Sequence, residues 1–393
     1  MSGLDVVVVG GGIGGLATAV ALHRSGLRVA VLERAAEFTE VGAGLSLWPN
    51  AMRALAAIGL ADRVVALGEV ETAGGLRDRA GRWLSRVDNA EIARRYGHPL
   101  VVVRRADLVR TLVAALPPRA LLPGREMRAV REDGEGVVVE HPGGSLRADL
   151  VVGADGLRSD LRRQRWPGSG APRYSGCTAW RMITDPLAAA EPPNALRSGG
   201  GVFWGRGERI GFTALSGGRF YCFAAATAPE GGRATGEEID EVRRRFGGWP
   251  DPIPMLLAAA PAGGVLRHDV YELPPPPSYA RGRAALVGDA AHAMDPMLGQ
   301  GACQALEDAV TLAACLGGGS GVEAALARYD RLRRPRARAV ARRSARLAAL
   351  SRWTSPGAVT VRDLAARLIP AAVTLRSMAP ILDWRPPVER AEA

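Results

Sequence analysis

Residues 5–33, DVVVVGGGIGGLATAVALHRSGLRVAVLE, leave a chain little choice of fold. Four consecutive valines make a strand that is apolar on both faces, which only a sheet covered on both sides can bury. A glycine turn follows, then a helical stretch stopping at Gly26, then a second apolar strand. Two parallel strands joined through a helix form a right-handed βαβ unit. Gly10, Gly12 and Gly15, with Ile13 and Gly14 between them, fit G-x-G-x-x-G. The first glycine makes the tight turn, the second lets the backbone approach a pyrophosphate, and the third lets the helix lie close on the strand. The helix N-terminus then faces the phosphates. Glu33 ends the second strand, where a carboxylate accepts hydrogen bonds from a ribose, and Arg34 follows it. The pattern predicts an adenine dinucleotide, NAD or FAD.

Two later stretches decide between them. In DLVVGADGLRSDLRR (149–163), Asp155 and Gly156 stand at a strand end, with Ser159 and Arg162 following on a helix. In ALVGDAAHAMDPMLGQGACQALEDAVTLA (285–313), Asp289 stands at another strand end and Gly299, Gln300 and Gly301 open a helix. A simple NAD dehydrogenase has no use for these. FAD does, because its ribityl chain and ring extend past the first nucleotide fold.

The 393 residues suit an α/β body with an insertion. The expected fold is α/β: a Rossmann-like FAD-binding domain with an inserted antiparallel β-sheet substrate domain and C-terminal helices. The FAD-binding domain is expected over 1–72, 97–170 and 268–330, the substrate domain over 73–96 and 171–267, and the C-terminal helical region over 331–393. Prolines 335, 356, 370 and 380 should break the C-terminal helices. The net charge of +11 comes from arginine alone, as the chain has no lysine. These arginines are spread along the chain, with one denser run at 328–346, so no nucleic-acid partner is expected. Cys177, Cys222, Cys303 and Cys315 have no metal-ligand spacing, so no metal is expected, and four buried thiols in a reducing, cytoplasmic setting are. No apolar stretch is long and uncharged enough for a membrane span.

The blocks GAGLSLWPNAMRALAAIGL, VVVRRADLVRTL and GDAAHAMDPMLGQGACQALEDA, with the glycine turn, resemble the single-component class A flavoprotein hydroxylases of the para-hydroxybenzoate hydroxylase fold. The similarity is greatest to compact members near urate, salicylate and 3-hydroxybenzoate hydroxylases and the tetracycline-inactivating monooxygenases. That resemblance implies FAD as cofactor, NADH or NADPH as co-substrate, dioxygen as oxidant, and hydroxylation of an aromatic or polycyclic small molecule through a flavin hydroperoxide. It implies FAD contacts at Arg105, at Gly44, Leu45 and Ser46, at the Val130 backbone, at Asp155 and at Asp289. It also implies that Arg209 and Tyr221 hold and orient substrate and that the Pro296 loop faces it. Urate-hydroxylating members carry an acid after the matching proline, whereas Met297 stands here, which favours a more apolar substrate. Trp180, Arg181, Phe203 and Phe212, with Trp204, are the candidate cavity residues. His292 reads mainly as a structural loop residue. An FAD-dependent epoxidase or reductase of an isoprenoid-like substrate shares the frame and is the alternative. A natural-product tailoring role is compatible with the arginine-only composition, and the chain is expected to be a monomer or homodimer.

Overall fold

The computed structural model describes residues 5–39, 43–187, 196, 199–319 and 321–387, so the outer ends of the first and last expected segments lie outside the described residues. Its central sheet runs Ala284–Leu286, Leu150–Gly153, Asp5–Val9, Arg28–Glu33, Leu121–Pro123, all parallel, with Ala280–Arg281 antiparallel at one edge. The first strand's valines are buried, and helices Ile13–Arg24 and Gly301–Gly317 pack along each other beside the sheet. The meander Ala129–Glu132, Val137–His141 and Gly144–Ala148 forms a separate three-stranded sheet.

The middle of the chain builds a seven-stranded sheet in the order Leu266–Glu272, Arg173–Ile183, Arg219–Thr227, Glu208–Leu215, Gly201–Trp204, Ala73–Asp78, Trp83–Asp88. Side chains alternate between its two faces. Arg181 pairs with Phe223, Ile183 with Tyr221, Thr213 with Tyr221 and Trp204 with Arg209, so these residues share one face. Trp180, Met182, Phe203, Ile210, Phe212 and Cys222 share the other.

The second face is an ordinary core. Helices Glu238–Phe246 and Ile253–Ala258 cover it, and Phe246, Trp249 and Leu256 fill the layer. This corrects the expectation for Trp180, Phe203 and Phe212, which are buried there as packing residues. Trp180 donates its indole N–H to Glu238 on that outer side, at 2.8 Å.

The first face turns toward the nucleotide-binding strands. A small sheet, Gly44–Leu47, Val101–Arg104 and Glu69–Val70, packs on it. Ala43, Val102, Leu215 and Tyr221 form the contact.

The chain does not break at Pro335 or Pro380, which lie inside helices Val322–Ser351 and Ala371–Leu382. An internal proline costs a helix about 3 kcal/mol or more. Here arginines on both sides of Pro335 are anchored. Arg333 binds Glu307 and Asp308, Arg334 binds Asp330, and Arg336 binds Glu307. Pro356 begins its helix and Pro370 precedes one, positions where a missing N–H costs nothing.

Arg333, Glu307 and Asp308 are all essentially without solvent contact. Burial alone would push the Asp308 carboxyl up, but His292 and Arg333 beside it hold it below its ordinary range. Removing one partner from such a set strands the others. Arg333→Met is therefore expected to cost about 3–5 kcal/mol, whereas Arg331→Met on the exposed face of the same helix should stay within about 0.5 kcal/mol. Denaturant unfolding of the two variants checks this.

Candidate active site

Three motifs meet at the carboxyl ends of adjacent parallel strands. Gly10, Ala154 and Val287 continue the ladder in one row, through Gly10 N–H to Leu32, Ala154 N–H to Val9 and Val287 N–H to Gly153. Gly10–Gly15, Asp155 and Asp289 thus leave the sheet side by side, where open α/β sheets bind ligands. Gly10 has φ +109°, and a Cβ on it would lie 2.3 Å from the Ala154 carbonyl oxygen. A Cβ on Gly15 would lie 1.9 Å from the Gly10 oxygen, so only glycine lets helix Ile13–Arg24 start this close. Glu33 accepts from the Gly11 and Ala35 amides, at 2.6 and 2.8 Å, which aims its carboxylate across the turn. Arg34 is exposed.

Asp155 accepts from the Leu161 amide at 3.0 Å, while its Oδ1 is buried and has no hydrogen-bond partner among the described residues. Burial pushes this carboxyl up. Ser159 caps the next helix, and the buried Arg162 donates to the carbonyls of Leu157 and Ala290, tying this motif to the Asp289 motif. Asp289 itself is exposed at its strand end. An unpartnered acceptor, an open acid, a glycine turn and a helix N-terminus in one row fit the ribose, pyrophosphate and polyol of FAD.

Arg105 lies at the end of strand Val101–Arg104, beside Gly44, Leu45 and Ser46 on the neighbouring strand. Burial pulls its guanidinium below the ordinary range, Asp289 holds it up and Arg181 pulls it down. Burial pushes the Tyr221 phenol up, and Arg181 and Arg105 draw it back. Arg105, Asp289, Arg181 and Tyr221 are therefore electrostatic neighbours. Tyr221 stacks on the Gly44 backbone so closely that a Cβ there would lie 2.2 Å from its ring.

Arg209 and Tyr221 are on neighbouring strands and one face, but four residues apart in register: Arg209 faces Ala225 and Tyr221 faces Thr213. The buried Arg209 guanidinium is spent on Ser351, at 2.9 Å, and Asp295, at 3.5 Å. Asp295 caps the turn Pro296–Leu298 by accepting from Met297 N–H. Arg209 thus acts on the Pro296 loop through Asp295, a correction to its expected hold on the substrate itself. Two further expected residues make hydrogen bonds within the chain. Val130 N–H donates to Gln164, and the backbone bonds to Glu33 and Ala35 come from Arg125 and Gly124. The Gln300 side chain accepts from Asn50 and Gln304, leaving Gly299 and Gly301 at the helix start. His292 is buried against Asp308 at 2.6 Å, as a structural residue would be.

Sequence reading missed Phe223, whose ring covers Gly211 beside Tyr221, and His268, on the edge strand Leu266–Glu272. Burial pulls the His268 imidazole down, and Arg181 and Arg105 pull it further. It also missed Glu71, which accepts from Thr213 on the same face at 3.1 Å. The period-two alternation through Tyr221 and Arg181 was the signal that points to Phe223.

This fold and row of motifs define an FAD-dependent oxidoreductase, and comparison narrows the class. The profile of the FAD binding domain family matches residues 3–187 and 277–344, and the chain belongs to this family as a class A flavoprotein hydroxylase, an FAD-dependent monooxygenase. It is 37% identical to the aurachin C monooxygenase/isomerase of Stigmatella aurantiaca, across 94% of this chain and 95% of that one. It is 37% identical to the 3-amino-4-hydroxybenzoate 2-monooxygenase of Streptomyces cremeus, across 88% and 87%. The crystal structure of Klebsiella pneumoniae HpxO complexed with FAD and uric acid matches with a TM-score of 0.87 at 29% identity, over 96% of each chain.

Asp289→Ala is expected to weaken FAD binding by roughly ten- to a hundredfold, the loss of one charge-assisted hydrogen bond. Flavin fluorescence on dilution reads the affinity, and unchanged far-ultraviolet circular dichroism separates it from unfolding. Glu71 supplies a pH signature. Burial pushes its carboxyl up to about 7, against 4.5 ordinarily, with Thr213 and the Gly200 amide holding it back. A raised carboxyl favours the folded state below its unfolded pKa, and that contribution is lost as pH rises through its folded one. Relative to Glu71→Gln, the wild-type chain should therefore lose stability between about pH 4.5 and 7, by no more than about 3 kcal/mol. Unfolding curves across that range provide the check.

Proposed function

We propose that the chain hydroxylates an aromatic or polycyclic small molecule, with NADH or NADPH as reductant and dioxygen as oxygen donor. The observation that carries this reading is the meeting of Arg181 and Tyr221, from the sheet face, with Arg105 and Asp289, from the strand ends. Substrate-facing and cofactor-facing groups share one place. FAD bound there supplies hydride acceptance and oxygen activation, chemistry that side chains lack.

The chain's own residues bind and orient. Gly10–Gly15 and the N-terminus of helix Ile13–Arg24 hold the pyrophosphate, and Glu33, flanked by Arg34, holds the ribose. Asp289 would accept from a polyol hydroxyl, and Arg105, beside Asp289 and Arg181, would supply positive charge to the bound groups. Asp155, with Gly156, supports the row from the neighbouring strand. Gly299 and Gly301 bring the start of helix Gly301–Gly317 close to the cofactor, and its dipole favours negative charge there. Arg181 suits a phenolate or another electron-rich oxygen, and the Tyr221 ring positions an aromatic plane. Arg209 is a positioning residue that fixes Pro296 and Met297 through Asp295. Relatives named for urate, aurachin C and 3-amino-4-hydroxybenzoate support a ring-shaped substrate, and Met297 turns the choice toward an apolar one.

The direct test screens aromatic and polycyclic compounds for those that accelerate NADH or NADPH oxidation and gain one oxygen by mass spectrometry. Acceleration with no oxygenated product from any compound would overturn the reading. With a substrate in hand, Arg209→Ala and Tyr221→Phe are expected to lower the ratio of product formed to reductant consumed, because a displacement of about 1 Å can cost on the order of a hundredfold. Peroxide should rise to match, and FAD should stay bound. Equal coupling in wild type and both variants would remove these two residues from the site.

A further inference from the structure

The C-terminal helices carry a surface that the monooxygenase site does not use. In helix Pro356–Leu368, Val361, Leu364 and Leu368 repeat at helical spacing and are 65%, 56% and 72% exposed. Ile369 and Val373, at the turn into helix Ala371–Leu382, continue the ridge at 48% and 50%. The inner sides of the two helices are anchored. Arg362 is buried, donates to the Gly205 carbonyl at 3.1 Å and lies over the Trp204 ring. Ile381 and Leu382 are buried against Ile92 and Tyr96. The outer ridge is therefore a fixed apolar edge held out from the body. Monomeric proteins rarely expose such contiguous patches without a partner.

Charge identifies the partner. Residues 1–330 hold 37 arginines and 36 acids, close to neutral, whereas residues 331–387 hold 13 arginines and two aspartates. Several of these arginines turn inward, Arg333 and Arg336 to Glu307 and Arg334 to Asp330. Arg342, Arg346 and Arg376 stay exposed, and Arg367, within the ridge, pairs with Asp78 at 3.2 Å while its side chain keeps 39% exposure. From Leu364 to Leu382 the only charged residues are Arg367 and Arg376. An apolar ridge rimmed by arginine matches an anionic bilayer surface, where acyl chains take the leucines and headgroups take the guanidiniums. A second copy suits it poorly, since a two-fold contact would set arginine against arginine. Among the described residues no helix is long and apolar enough to cross a membrane. At about 1.5 Å per residue these two helices reach under ~20 Å each, which suits lying in an interface.

We propose that the ridge Val361–Val373 seats the enzyme peripherally on an anionic lipid surface. The test sediments the FAD-loaded full chain with vesicles of phosphatidylglycerol and phosphatidylcholine, and with vesicles of phosphatidylcholine alone. Binding is expected to the anionic vesicles, and about tenfold weaker binding to the neutral ones and at high salt. Leu368→Ser combined with Ile369→Ser should lower binding about tenfold, with FAD content and melting temperature unchanged. Arg376→Glu should do the same through charge. No binding to anionic vesicles, or binding indifferent to the serine pair, overturns the proposal. So does analytical ultracentrifugation showing a dimer that the serine pair dissociates, because the ridge would then be a contact between copies.

Discussion

The Arg333 guanidinium, shut off from water, lies between two carboxylates that are equally shut off. It binds Glu307 and Asp308, and it donates to the carbonyl and side-chain oxygens of Gln304. Asp308 accepts from the Gly288 amide and pairs with His292, while Glu307 accepts from Asn50 and Arg336. One cation therefore joins the long helix Val322–Ser351, helix Gly301–Gly317, the strand end before Asp289 and the start of helix Pro49–Ala57. Taking such charges from water costs several kcal/mol per ion, and replacing them with hydrocarbon is often neutral. What hydrocarbon could not reproduce is direction. Each bond fixes where one loop leaves the body, and the loops so fixed carry Asp289 and Gly299–Gly301.

The cofactor side of this site was readable in the chain because its chemistry is local. A glycine turn between strand and helix means the same thing wherever it occurs, and the three motifs needed only a parallel sheet to be brought into line. The sheet side was not readable. Trp180 and Arg181 are adjacent in sequence and stand on opposite faces, and which face looks inward depends on packing partners far along the chain. Choosing aromatics by type selected Phe203 and Phe212, which support helix Glu238–Phe246, and passed over Phe223. Pro335 misled for a related reason: its local penalty is offset by Arg333 and Arg336, whose partners lie on another helix.

Arg209 shows how a residue can hold the expected position and a different part. Its strand and face are those anticipated, but a buried guanidinium takes the nearest buried acid, and that acid is Asp295. The loop bearing Pro296 and Met297 is thereby tied to the middle sheet, and through Ser351 to the end of the long helix. Ser344 adds a second tie, donating to the Asp295 carbonyl at 2.6 Å. The loop's shape depends on the middle sheet and the long helix agreeing.

Strand alternation in the seven-stranded sheet also bears on how such a chain can change over evolutionary time. Along Trp180–Ile183 and Phe220–Ala226, odd-numbered side chains share the face toward the cofactor strands and even-numbered ones pack under the two covering helices. Under the proposed function, selection for a new substrate would act on Arg181, Ile183, Tyr221 and Phe223 while Trp180, Met182, Cys222 and Ala224 keep the layer packed. Substitutions on the two faces share few contacts, so their energetic effects should combine nearly independently. One sheet then serves as a stable support and as a rewritable surface, and neither role has to be relearned when the other drifts.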